Sequence, residues 1–220
     1  MSKISWKGGA LLAPVPAVMV SCGSMEAPNI VTVAWTGITC TQPPKTYISL
    51  RKSRHSYDLV KESGCFVINL TTEALVRSAD FCGVRSGRDV NKFEVCHLTP
   101  EAAEHIPCPA IAESPLSIEC RVTDLIELGS HDMFLADIVG VSVDEALLDA
   151  NGRLALEKAG LAAYCHGEYY ALGKRLGKFG YSVEKKKKKR KNKCMNKCET
   201  LSRALRGTFL QKGSSTSKDF

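Results

Sequence analysis

Asn29-Ile-Val-Thr-Val-Ala-Trp-Thr-Gly-Ile-Thr-Cys-Thr-Gln-Pro-Pro44, followed after two residues by Tyr47-Ile-Ser-Leu-Arg-Lys-Ser-Arg-His-Ser56, decides the reading of this chain. Ile30 to Trp35 and Thr46 to Leu50 are apolar and β-branched, and both read as buried strands. The residues between them are dense in hydroxyls and read as a turn. The second strand runs into Arg51, Ser53, Arg54, His55 and Ser56. Hydrogen-bonding groups followed by cations and hydroxyls suit an anionic ligand with a flat polar ring.

Outward from that stretch the patterning stays mainly β. Ala17 to Ser21 and Cys65 to Leu70 are short apolar runs that read as strands. A short helix is expected from Ser53 or Arg54 through Val60. A second is expected from Thr71 or Thr72 to about Ala79, with Glu73 early and Arg77 late as the helix dipole prefers. Asp80 to Phe93, with two glycines and few core residues, reads as a functional loop. Leu116 to Leu128 and Met133 to Val143 form an expected hairpin, its first strand alternating polar and apolar. Leu154 to Leu161 reads as a further helix, and Glu168 to Leu172 as a short aromatic strand. Many short strands, few helices and antiparallel patterning give a mainly β fold: a barrel with helical decoration. No Gly-x-Gly-x-x-Gly follows a strand, so a Rossmann unit is excluded.

The formal charge of +7 is unevenly spread. Residues 184–220 hold thirteen Lys and Arg against three acids, and the other 17 basic and 20 acidic residues leave 1–183 at −3. The expected organisation is therefore one domain over 1–183 and a basic, disordered tail over 184–220. A nucleic-acid partner would be argued from that tail alone and is not expected. Ten scattered cysteines, several in apolar runs, indicate free buried thiols and a reducing cytoplasm. Ala10 to Val20 faintly imitates a signal segment, but Pro14 and Pro16 interrupt it and Met19 is a poor cleavage residue. No run approaches the ~20 apolar residues of a membrane span. Cys194 and Cys198 in the tail read as two exposed thiols.

Several separated blocks, in order, carry a family resemblance. They are Asn29 to Gly37, Pro43-Pro44 leading to Tyr47 through His55, Phe66-Val-Ile-Asn-Leu70, Ser78-Ala-Asp-Phe-Cys-Gly83, and Ser86-Gly-Arg-Asp-Val-Asn-Lys-Phe93. Over about residues 8–183 the chain resembles the flavin reductase-like proteins, an FMN-binding split-barrel group that includes flavoredoxin and a ferric reductase. The resemblance implies a homodimeric, six-stranded split β-barrel, an antiparallel Greek-key barrel, holding FMN without a covalent bond near the subunit interface. It implies electron donation by NAD(P)H or by a redox protein such as ferredoxin.

On that reading Arg51, Ser53, Arg54, His55, Ser56, Ser86 and Lys92 are the phosphate-side residues, in place of a merely solvated charged turn. Trp35, Thr36, Thr39, Cys40, Ser49 and Leu50 are placed along the ring. His131 is expected as a donor near it, and Tyr164 as a cover. Core packing is the competing role for Trp35. The ferric reductase branch suggests an iron role for Cys40 and His131, but one Cys and one His do not make a metal site, and no metal is expected. No catalytic side chain is assigned, because the chemistry belongs to the cofactor. The competing function is a non-catalytic flavin-binding module whose basic tail binds nucleic acid.

Overall fold

The computed structural model describes residues 1–184, so the lysine run and the tail cysteines lie outside the described residues. Met1–Gly173 forms one compact unit, and a second begins at Lys174. The main sheet is built from β2 (Val18–Gly23), β3 (Pro28–Val33), β4 (Thr36–Thr41), β5 (Pro44–Leu50), β6 (Cys65–Asn69), β9 (Leu116–Glu127) and β10 (Asp132–Val143). Its strand order is β3-β2-β6-β9-β10-β5-β4, with every pairing antiparallel. The first strand, β1 (Val15–Pro16), instead joins β11 (Ala162–Cys165) and β12 (Glu168–Ala171) in a small second sheet. A third sheet pairs β7 (Pro100–Ala102) with β8 (Pro109–Ile111).

The sheet curls around a single interior. Val18, Val20, Val31, Val33, Ile48, Leu50, Phe66, Ile68, Cys120, Phe134 and Ala136 come from six strands and share one core. Side chains alternate faces along a strand, so Met19 and Ile30 point outward from the same strands. They are covered by α2 (Val76–Val84) and α3 (Lys92–Val95) through Ala79, Cys82 and Phe93. The outer face of β6, with Cys65 and Val67, is covered by Ile106, Cys108 and Ala110. Coverage on both faces explains why β2 and β6 read as continuous apolar runs. β9 and β10 are wet along their later halves, which is why the first of them alternates.

The helix α1 (His55–Ser63) adds Tyr57 and Val60 to the interior core. Gly64 ends it at φ +66°, a left-handed geometry that β-carbons disfavour, with its amide bonded to the Val60 carbonyl. Tyr57 also donates to the buried Asp132 at the head of β10, 2.6 Å away. This fixes α1 against the strand that follows His131.

Three local expectations are corrected. The hydroxyl-rich stretch after Trp35 is strand β4, paired with β5, because a ladder satisfies backbone groups that a long turn would leave to water. Asp80 to Phe93 is not one loop. The helix runs on to Val84 because Cys82 faces the outer core, and a second short turn starts at Lys92 with Asn91 capping it. Leu154 to Leu161 holds only the 3-10 turn Leu156–Lys158.

Candidate functional site

Two adjoining cavities lie where β3, β5, α1 and the α2–α3 connection meet. The smaller, about 160 Å³, is lined by Val31, Arg51, Ser53, Arg54, His55, Ser56, Arg85, Ser86, Gly87 and Lys92. Its wall carries four cationic side chains and three hydroxyls, and no carboxylate. The larger, about 480 Å³, shares Val31, Arg51 and Arg54 with it and continues past Trp35, Ser49, Leu50, His131, Tyr164 and Tyr169. That volume falls in the range of small-molecule sites, ~300–1,000 Å³. The most voluminous cavity described, about 900 Å³, lies elsewhere and is walled by Glu101, Glu104, Glu113, Glu119 and Asp144 against Lys158. Its charge is wrong for an anion.

The cationic end is built from the β5–α1 corner. Arg54 occupies the N-cap position with extended backbone, and no side chain caps the helix. The Tyr57 amide is spent on the Arg54 carbonyl at 3.0 Å, while those of His55 and Ser56 keep hydrogen-bonding capacity for an anion. Ser56 is buried and receives the Asn29 side-chain amide at 2.7 Å. Opposite, the connection carrying Ser86 and Gly87 lies against Asn29. A β-carbon on Gly87 would come within 2.0 Å of Asn29 Oδ1 and 3.0 Å of His55 Cδ2, so only glycine fits. Arg88 points away from the cavity. It donates to the Ser53 carbonyl at 3.2 Å and pairs with Asp58, which fastens the two walls together.

Lys92 forms the floor. It is 4% exposed, and its Nζ donates to the carbonyls of Ile30 at 2.6 Å and Cys82 at 2.8 Å. No carboxylate pairs with it among the described residues. Burial pulls its pKa below the ordinary lysine value, and the Arg54 charge adds to that. A buried ammonium stripped of water and without a counter-ion is costly unless an anion arrives.

The wider cavity holds the flat surfaces. The Trp35 carbonyl accepts from the Ser49 amide at 2.9 Å, joining the end of β3 to β5. Tyr164 and Tyr169 pack edge to face with centroids 5.4 Å apart. Tyr169 donates to Asp80 at 3.3 Å, and burial with that carboxylate pushes its hydroxyl up to about 12. His131 is half-buried, and its Nδ1 lies 3.0 Å from the Ser130 hydroxyl. Burial first, then Arg51 and Arg54, hold it below the usual imidazole value. It is therefore a neutral hydrogen-bonding group at neutral pH.

Of the residues singled out in the sequence, twelve line these two cavities: Arg51, Ser53, Arg54, His55, Ser56, Ser86 and Lys92 with Trp35, Ser49, Leu50, His131 and Tyr164. Thr36, Thr39 and Cys40 do not. They sit on β4 outside both walls, and Thr36 spends its hydroxyl on the Tyr47 carbonyl at 2.6 Å. Sequence reasoning passed over Arg85, Asp80, Gly83 and Tyr169. Continuing the α2 periodicity beyond Ala79 would have placed Asp80, Gly83 and Val84 on one helical surface.

A family model described as "Flavin reductase like domain" matches residues 11–173. The flavoredoxin of Desulfovibrio vulgaris superposes with a TM-score of 0.77 at 35% identity, covering 83% of this chain and 100% of that one. The flavoredoxin of Methanosarcina acetivorans gives 0.76 at 23% identity, covering 84% and 100%, and shows the shared fold. The NADPH-flavin oxidoreductase of Streptomyces viridifaciens is 26% identical over 147 residues, 64% of this chain and 74% of that protein.

Proposed function

The chain belongs to the flavin reductase-like family, and from that premise we propose that it is an oxidoreductase that binds FMN without a covalent bond across the two cavities. The observation that carries this reading is the buried, carboxylate-free Lys92 beneath an acid-free cavity of arginines and serines. A phosphate monoester supplies the missing counter-charge and accepts from Arg51, Arg54, Arg85, Ser53, Ser56, Ser86 and the first amides of α1. The adjoining cavity offers Trp35, Ser49, Leu50, His131 and Tyr164 to a flat ring. When bound, FMN supplies hydride and electron transfer that no side chain of this site provides.

The protein's own part is to bind, orient and tune. The arginines and Lys92 hold the anionic end and thereby set which end of the ligand meets Trp35 and Tyr164. His131, kept neutral by burial and by the arginines, offers a hydrogen bond rather than a fixed charge. We place the electron donor among NAD(P)H and redox proteins such as ferredoxin, and the protein in the cytoplasm. We also infer a homodimer. Ile38 on β4 is 67% exposed, and a second copy covering that strand would return Thr36, Thr39 and Cys40 to the neighbourhood of a site.

Anaerobic rapid mixing of the FMN-loaded protein tests the assignment. Bleaching of the bound flavin by NADH or NADPH identifies a reductase. Bleaching by reduced ferredoxin alone identifies an electron carrier. A protein that stays colourless and gives no saturable heat with added FMN would remove the whole reading.

A further inference from the structure

Cys82 lies on α2, and Cys96 closes α3. Their sulfurs stand 4.0 Å apart. The chain between them supplies Arg85, Ser86, Gly87 and Lys92 to the cationic cavity. The two ends of this segment are already drawn together by the bond from Lys92 Nζ to the Cys82 carbonyl, 2.8 Å long. A disulfide needs its sulfurs about 2.05 Å apart. The remaining gap of about 2 Å is on the scale of side-chain rotation at two short residues.

The two thiols are unequal in a useful way. Cys82 is sealed in the outer core at 0% exposure, whereas Cys96 is half-buried and reachable from solvent. Burial, reinforced by Cys96, pushes the Cys82 thiol up to about 12. Cys96 is therefore the group an oxidant meets first, and Cys82 the one that resolves the adduct. The buried Cys65 and Cys108 are closer, at 2.7 Å, but both are sealed and neither lines the cavities.

We propose that Cys82 and Cys96 form a redox-responsive disulfide clamp that closes the ends of the phosphate-side connection and slows release of FMN. The clamp rests on the FMN reading above for its consequence, though not for its chemistry. The oxidant is a small-molecule disulfide. The Cys96 thiolate attacks one of its sulfurs, the small disulfide's S–S bond breaks, and one small thiolate leaves. The Cys82 thiol gives up its proton to solvent and attacks the Cys96 sulfur of the mixed disulfide. The Cys82–Cys96 bond forms and the second small thiolate leaves. Two protein thiols are oxidised by two electrons, and the small disulfide is reduced to two thiols. Because Cys82 must deprotonate, closure accelerates as the pH rises. In a reducing cytoplasm such a bond is transient, as befits a sensor rather than a scaffold.

The test uses the full chain loaded with FMN. One sample is kept reduced with a phosphine, and another is equilibrated with glutathione disulfide. Free thiols are alkylated, and the linked peptides are mapped without reduction. FMN release is followed by recovery of flavin fluorescence on dilution. The expected result is a peptide linking Cys82 to Cys96 and a release rate at least threefold slower than in the reduced sample. That difference should vanish in Cys96→Ser, or in Cys96→Ala if the serine variant does not fold. Recovery of Cys82 and Cys96 as alkylated thiols while Cys65 links to Cys108 would overturn the proposal. So would a formed clamp with an unchanged release rate. A linked Cys82–Cys96 peptide in a protein that holds no FMN in either state would instead sink the cofactor reading, and the retention role with it.

Discussion

Replacing Lys92 with methionine separates ligand binding from folding, because the first should fall while the second hardly moves. Met keeps most of the apolar volume of the buried stem and removes the charge. The apo protein loses two charge-assisted hydrogen bonds, to the carbonyls of Ile30 and Cys82, each contributing about 1.5–3 kcal/mol. It also sheds the desolvation penalty of a buried ammonium, several kcal/mol in folded proteins. These terms nearly cancel, so the melting point of the apo protein should move little. The FMN complex has no such offset. With the phosphate over Lys92 as proposed, losing this cation, 4% exposed, removes a charge-assisted contact of about 1.5–3 kcal/mol, or roughly a 10- to 150-fold rise in Kd. Fluorescence titration of apo protein with FMN gives the affinity, and thermal melts with and without FMN give the two stabilities. Equal losses in apo and holo melting points with unchanged Kd would show that Lys92 is only a structural tie between β3 and α2.

Gly87→Ala should weaken FMN binding roughly 5- to 150-fold. The new methyl group meets the Asn29 side chain, which is itself bonded to Ser56, and overpacking of this kind costs about 1–3 kcal/mol. Unchanged titration curves would mean that this connection moves aside without consequence. His131 gives a pH signature. Its folded pKa lies below the ordinary 6.5, so the unfolded chain binds the extra proton first. Its contribution to stability is complete above about pH 6.5 and is lost as the pH falls through the interval below. His131→Gln should therefore flatten the fall in melting point between neutral and mildly acidic pH. An NMR titration should also show the imidazole moving up when FMN partly offsets Arg51 and Arg54. A His131 that titrates alike in apo and holo protein would place it away from the anion.

The strands were legible because their side chains face two different cores. Val18, Val20 and Met19 look alike in the sequence, yet the first two fill the barrel and the third packs under α2. A continuous apolar run therefore identified the strand without saying which neighbour covered which face. The misread segments are those where tertiary context overrides local chemistry. Thr36 to Thr41 has the composition of a turn and the pairing of a strand. The hydroxyls that made it look like a ligand contour are partly used internally, by Thr36 on Tyr47. Cys82 and Gly83 looked too sparse for a helix until Phe93 and Ile111 are seen to complete their core.

The cationic end was legible for a different reason. Charges near one another in sequence, Arg51 through Ser56, stay near one another at a strand-to-helix corner whatever the rest of the fold does. Lys92 was legible as a phosphate-side cation only through the family resemblance. What makes it informative is burial over two carbonyls with no paired carboxylate among the described residues, and one of those carbonyls, that of Ile30, comes from a strand far from Lys92 in the chain. The choice between Arg85 and Arg88 has the same origin. Both are exposed cations three residues apart, and only the docking of Arg88 onto Ser53 and Asp58 leaves Arg85 to face the cavity. A swap of roles follows: Arg85→Ala should lower affinity through lost charge at the phosphate, while Arg88→Ala should act by loosening the wall. Raised salt should therefore shrink the first loss more than the second, since screening acts on charge and not on packing.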